Sequence, residues 1–219
     1  MMNSELSKGD DPLEPPMRTH NLSKGDDPLE PPMRTHNLSK GDDLSLACEL
    51  PEGRVREVVR APEQVLATAS GETDPTDPEI VQLCADLVAT MKVSPGCVGL
   101  AAQQVGVVAR AFCVDVTNHP KTRTLHGLIV LVNAEVVNAS RNEKGREGCM
   151  SVPDLTGDVK RATNLTVRGQ LPGSGEVVEF TTDAFEARAL QHEIDHCAGK
   201  LFLDRVAGAH AIHQRKVYL

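Results

Sequence analysis

The chain has 219 residues, 40% of them hydrophobic and 25% charged, and a formal net charge of −8. That size and balance suit one soluble globular domain with an appendage, and the acidic surplus argues against a protein that binds nucleic acid by neutralising phosphates. With four Phe, one Tyr and no Trp the core must be aliphatic and base-stacking platforms are not expected, while the longest apolar runs, such as Gly127 to Val132, are far too short to span a bilayer.

Residues 1–43 read as a tail outside the fold. Leu6 to Asn21 is repeated without a change from Leu22 to Asn37, a period of 16 residues (22 minus 6), and a third copy stops after Asp43. Each unit is acidic and rich in Pro, and cannot bury enough apolar surface to offset its ordering entropy. The expected organisation is a disordered repeat tail over 1–43 and a globular domain over 44–219. No secretory signal opens the chain. The scattered cysteines (Cys48, Cys84, Cys97, Cys113, Cys149, Cys197) therefore point to reduced thiols in a cytoplasmic setting.

Asp77-Pro78-Glu79 predicts a helix start, and Ile80, Leu83, Cys84, Leu87 and Met91 continue it as one apolar stripe that ends before Ser94-Pro95-Gly96. Cys84 on that stripe reads as core. The small residues of Gly96 to Gly106 allow close backbone approach. Strands are expected over Val107 to Val116 and Leu128 to Val137, with His119 and His126 in a surface loop between them. An exposed charged run, Arg141 to Arg146, leads to a tight irregular segment at Glu147 to Pro153. Strands at Asn164 to Gln170 and Glu176 to Thr181 form a hairpin across Leu171 to Gly175. Asp183 with Glu186 predicts a capping box for a second helix that closes at Gly199. The last residues, with His210 and His213, read as a polar surface tail.

The second helix carries Gln191-His192-Glu193-Ile194-Asp195-His196. Two His four positions apart lie about 400° apart in rotation and about 6 Å in rise, so both face one metal ion. Glu193 is placed to act as a base without being a ligand. The pair lacks a third ligand. A metzincin-type completion fails because Phe202 holds that position, and a thermolysin-type one fails because no Glu follows Glu193. An upstream ligand remains. Cys149, 43 residues before His192 (192 minus 149), is the candidate, since Cys and two His with one open position make a catalytic arrangement. Cys197 would be rotated about 100° off the shared face; Cys97 stays open on geometry alone.

Three stretches together resemble the signatures of the peptide deformylase family: Gly99-Leu100-Ala101-Ala102-Gln103-Gln104-Val105-Gly106, Glu147-Gly148-Cys149-Met150-Ser151, and Gln191 to His196. Their order and spacing agree with the family over roughly Arg54 to Val206. Departures are Cys97 for the first Gly of the first motif, Gln103 before the key Gln, Met150 for the usual Leu, and Cys197-Ala198 after the third motif.

The resemblance implies an α+β fold, with antiparallel and mixed sheets around a central metal-binding helix. It also implies hydrolysis of the N-formyl group from the formyl-methionine of nascent chains. The implied metal ligands are Cys149, His192 and His196, holding one divalent ion: Fe2+ most commonly in this family, with Zn2+, Ni2+ or Co2+ able to take its place. Glu193 is the implied general base, and the Gln104 side chain and the Met150 backbone N–H the oxyanion donors. Gly99 and Glu147 are expected at the substrate, with Phe185 and Ala189 walling the Met side chain. The partners implied are formylated nascent peptides and the ribosome near its exit tunnel, with no membrane and no specific nucleic acid. The rival readings are a zinc metallopeptidase and a deformylase-like domain that binds peptides without catalysis.

Overall fold

The computed structural model describes residues 34–35 and 49–215, all within one compact unit. The strands are β1 (Arg34–Thr35), β2 (Gly99–Ala101), β3 (Ala111–Val114), β4 (Ile129–Cys149), β5 (Val152–Gln170), β6 (Val177–Asp183) and β7 (Ile212–Gln214), and the helices are α1 (Pro78–Val93) and α2 (Ala184–Cys197). The strand order is β1-β6-β5-β4-β3-β2, with β7 also on β5. All pairings are antiparallel except that of β1 with β6. This mixed sheet with two helices is the α+β fold expected. Of the segment read as a disordered tail, Arg34 and Thr35 are described and form a strand paired with Val178 and Glu179; the rest lies outside the described residues.

Helix α1 starts and stops where its sequence signals put it. The Asp77 carboxylate accepts the Glu79 N–H at 2.8 Å, and Ser94 is the C-cap. Its buried face, with Leu83, Cys84, Leu87 and Met91, packs on Leu100, Ala102, Ala111 and Val130 of the sheet and the turn after β2. Helix α2 lies over the other part of the core, where Ala187, Ala189, Leu190 and Cys197 meet Phe112, Leu131, Leu165, Val167 and Phe180. It ends as the glycine predicts. Gly199 has φ 69°, its N–H donates to His196 O at 2.9 Å and the Lys200 N–H donates to Asp195 O at 2.9 Å, the paired bonds of a Schellman motif.

Several expectations give way. The strand expected over Val107 to Val116 is confined to Ala111–Val114. The strand expected over Leu128 to Val137 runs on to Cys149 through the charged run, and the segment read as irregular from Glu147 is largely strand. The charged run is exposed as expected, but residues 135–144 are paired with β5 across a long hairpin, and pairing satisfies the backbone whatever the side chains do. The capping box at the start of α2 does not form. Asp183 makes no cap bond; its carboxylate accepts from the Thr124 N–H at 3.1 Å. Glu186 is instead fully buried, bonded to the His126 ring at 2.5 Å, the His126 N–H and the Thr182 hydroxyl. His126 is therefore core, not surface, since a buried carboxylate needs partners. The polar C-terminal segment forms β7, which Leu155, Thr156 and Gly157 pair with.

Strand β5 has β7 on one half of its outer edge and β6 on the other. In the gap between them the Gln191 side chain takes the place of a strand. Its Oε1 accepts the Ala162 N–H at 3.1 Å and its Nε2 donates to Ala162 O at 2.9 Å. This bond pair ties α2, and the motif it carries, to the sheet.

Candidate metal centre and cleft

Helix α2 presents His192 and His196 with ring centroids 5.0 Å apart. The turn that leaves β4 brings Cys149 to them: its Sγ lies 3.3 Å from His196 Nε2, and one donor atom from each of Cys149, His192 and His196 falls within 4.8 Å of the others. Cys149 and His196 are buried. The other thiols are elsewhere. Cys97 donates to Gly99 O at 3.1 Å, and burial, with Glu193 nearby, pushes it up to about 12, so it stays a thiol. Cys197 is core, against Ala111 O at 3.9 Å. Phe202 packs its ring 6.5 Å from that of His192, filling as apolar wall the position where a third His would be needed.

Around the donors stands a buried ionic cluster. Glu147 accepts from Arg161 through both oxygens at 2.9 Å, from Arg188 at 2.7 Å, and faces His192 Nδ1 at 3.1 Å. Burial opposes its ionisation, but His192 and Arg161 hold it well below the usual carboxylate range. With Nδ1 engaged, His192 keeps Nε2 for an ion, the role carboxylate partners commonly play behind metal-bound imidazoles. Arg161 also bonds Asp195, which Arg205 grips at 3.0 Å. Sequence reasoning overlooked Arg161, Arg188 and Arg205, which lie in no motif. Asp195 was in view as part of the third motif, and an acid facing inward beside a ligand is a signal that a buried cation must answer it.

Glu193 is 4% exposed. Burial raises it to about 7, against the pull of His192 and Arg161. Its Oε2 is buried with no hydrogen-bond partner among the described residues, an orphaned acceptor that calls for a partner from outside the protein. Gly99 makes room for it: a Cβ there would lie 2.4 Å from Glu193 Oε1. The Gln104 Oε1 accepts the Ala101 N–H at 3.0 Å, so its NH2 is turned to the site, 3.3 Å from Cys149 Sγ and from Ser151 Oγ. Gln103, by contrast, points at Ser70 and Cys197 O, away from the donors.

A cleft of about 390 Å³ opens onto these groups; Cys97, Gly99, Gln104, Met150, Phe185 and Ala189 are among its walls. Phe185 is stacked on His119, ring centroids 3.5 Å apart, so His119 also belongs to the cleft. Glu147, expected at the substrate, lines the cleft too, but both its oxygens are committed to Arg161, Arg188 and His192.

Three soft and borderline donors with no fourth protein donor among the described residues, beside a buried carboxylate oxygen without a hydrogen-bond partner, fit a hydrolytic centre and not a structural one; the class is that of single-metal hydrolases. The donor set of thiolate and two imidazoles suits a divalent ion. Comparison with known proteins narrows this. The polypeptide deformylase family matches residues 55–211. A peptide deformylase of Desulforudis audaxviator is 42% identical over 164 residues, covering 74% of this chain and 98% of that protein. Crystal structures of peptide deformylases from Thermotoga maritima (29% identity, TM-score 0.63, 71% of this chain and 99% of that one) and Legionella pneumophila (34%, 0.63, 70% and 87%) share the fold. The chain belongs to the peptide deformylase family. It is an enzyme that removes the N-formyl group from nascent proteins.

Proposed function

We propose that Glu193 is the proton carrier of the deformylation, that Gln104 Nε2 and the Met150 N–H receive the developing oxyanion, and that Cys149, His192 and His196 hold the ion. The buried, unpartnered Glu193 Oε2 beside three converging donors is the observation that carries this reading. An ion bound there supplies a Lewis acid that acidifies water and polarises the formyl carbonyl. Glu193 takes a proton from the attacking water and passes it to the amine nitrogen as the C–N bond breaks, so formate leaves and a free N-terminus remains. A carboxylate raised to about 7 suits a group that must accept and then donate. The Gln104 amide is held in one orientation by Ala101, so its donor is in place before charge develops; such a donor is worth about 3 kcal/mol of barrier.

Gly99 is assigned to the substrate backbone, Phe185 and Ala189 to the wall around the methionine side chain, and Glu147 to orienting His192. The native ion is assigned as Fe2+ on family grounds, although thiolate and imidazole bind Zn2+ more tightly; activity that decays in air and is preserved by Co2+ or Ni2+ substitution would support iron. The proposed setting is a bacterial-type cytoplasm, near the ribosomal exit tunnel where formylated nascent chains emerge. Among the described residues no helix is long and apolar enough to cross a membrane. The test is metal-loaded protein with a formyl-Met tripeptide. Formate with the peptide backbone intact supports the reading, peptide-bond cleavage would make it a peptidase, and no reaction would make it a binding domain.

A further inference from the structure

Four cations reach the cleft of this acidic protein: Lys121, Arg146, Arg188 and Arg215. Two are already answered. Arg188 is bonded to Glu147 at 2.7 Å, and Arg146 to Asp158 at 2.6 Å. Lys121 and Arg215 have no carboxylate partner among the described residues. Arg215 is the better placed of the two. Its backbone N–H donates to Asp154 O at 2.8 Å, continuing the β7–β5 ladder, and its Nη2 donates to Cys149 O at 3.1 Å. A Cβ on Gly148 would lie 2.5 Å from that same Nη2, so the guanidinium rests on the backbone of Gly148 and Cys149. One hydrogen bond to a carbonyl leaves most of a five-donor fork unused, and the residue is exposed. A cation parked on the rim of an active site, in a chain of net charge −8, is placed for an anion that arrives with the substrate.

We infer that Arg215 is a specificity-determining residue, binding a carboxylate side chain one or two residues after the formyl-methionine of the substrate. This rests on the deformylase reading, which fixes the formyl carbon at the Cys149, His192 and His196 donors. An extended peptide advances about 3.5 Å per residue, so a chain laid along the cleft wall formed by Gly148 and Cys149 would bring its second or third residue within reach of the guanidinium on the Cys149 carbonyl. The bidentate fork of Arg matches a carboxylate. The charge comes from the residue that follows β7, at the end of the described chain, and lies outside all three signature motifs.

The experiment uses the metal-loaded full chain and C-terminally amidated peptides, so that a side-chain carboxylate is the only acid offered. Formyl-Met-Ala-Ser-amide is compared with versions carrying Asp at the second or Glu at the third position, by formate release. The expected result is a KM about fivefold lower for an acidic peptide, the size of a partly exposed ion pair, falling away at high salt. Arg215→Gln should erase the difference, and Arg215→Lys should restore part of it. Equal KM values for acidic and neutral peptides in the unaltered enzyme would overturn the inference while leaving the deformylase reading intact. So would an Arg215→Gln variant that loses metal and turns over all peptides equally poorly, because Arg215 would then only brace Cys149. Absence of formate from every peptide would overturn the deformylase reading itself, and this inference with it.

Discussion

Replacing Gly99 with Ala adds one methyl group and nothing else, yet its position makes it a test of where Glu193 must stand. The Cβ would lie 2.4 Å from Glu193 Oε1, 2.9 Å from Cδ and 3.0 Å from Cγ; ordinary contact begins near 3.4 Å, so the carboxylate is about 1 Å too close. The whole end of the side chain is involved, and any shift that relieves the clash takes the carboxylate off the position it holds beside the donors. A displacement of about 1 Å at a reacting group costs on the order of 100-fold in rate, equivalent to ~2.7 kcal/mol of barrier. Formate release from a formyl-Met tripeptide should therefore show kcat/KM reduced by about two orders of magnitude. Metal content per chain should stay near that of the unaltered protein, because none of the three donors is touched. A variant that keeps its metal and loses less than about threefold in kcat/KM would refute the reasoning, since the Glu193 carboxylate could then move by ~1 Å without consequence.

Other outcomes follow from the same geometry. Glu193→Gln should keep the metal and lose nearly all turnover; loss of metal, by elemental analysis, would make Glu193 a ligand. Cys149→Ala should weaken metal binding far more than Cys97→Ala, because the Cys97 thiol donates to Gly99 O and lies outside the donor group; competition with a chelator reads the difference. Arg161→Ala would leave the buried carboxylates of Glu147 and Asp195 short of a cation. Removing one partner of a buried pair costs about 3–5 kcal/mol, which a denaturant titration would detect. Glu193, raised to about 7 by burial, must be ionised to accept a proton. Activity should thus be full above its pKa and lost as pH falls through it, with a bound cation moving that limb to lower pH. A kcat/KM with no acidic limb down to roughly pH 3, in protein that stays folded and metal-loaded, would contradict Glu193 as base.

Much of this protein was written in local pattern. The apolar stripe of α1, the Asp77 cap, the Gly199 stop and the one-turn spacing of His192 and His196 each depend on residues within a few positions of one another. Helical geometry converts such spacing into shared faces with no knowledge of the rest of the chain. Motif resemblance extended that reach to Cys149 and Gln104. Local pattern misled where tertiary pairing outweighed composition. The strand expected to stop at Val137 runs on through the exposed charged run at Arg141 to Arg146, because β5 supplies its hydrogen bonds. Glu186 looked like a capping residue and is a buried partner of His126.

The sequence by itself determined the helix that carries His192 and His196 and the family to which the chain belongs, and it put Glu193 forward as the base. Only the tertiary structure decided what surrounds them: that Arg161 and Arg188 neutralise Glu147 behind His192, that Gly99 is the space Glu193 occupies, and that Arg215 arrives at the cleft from the end of β7. These contacts join residues separated by 14 to 94 positions (161 minus 147, and 193 minus 99). No periodicity records such a meeting, because it exists only after the sheet has closed and brought the two ends of the contact together.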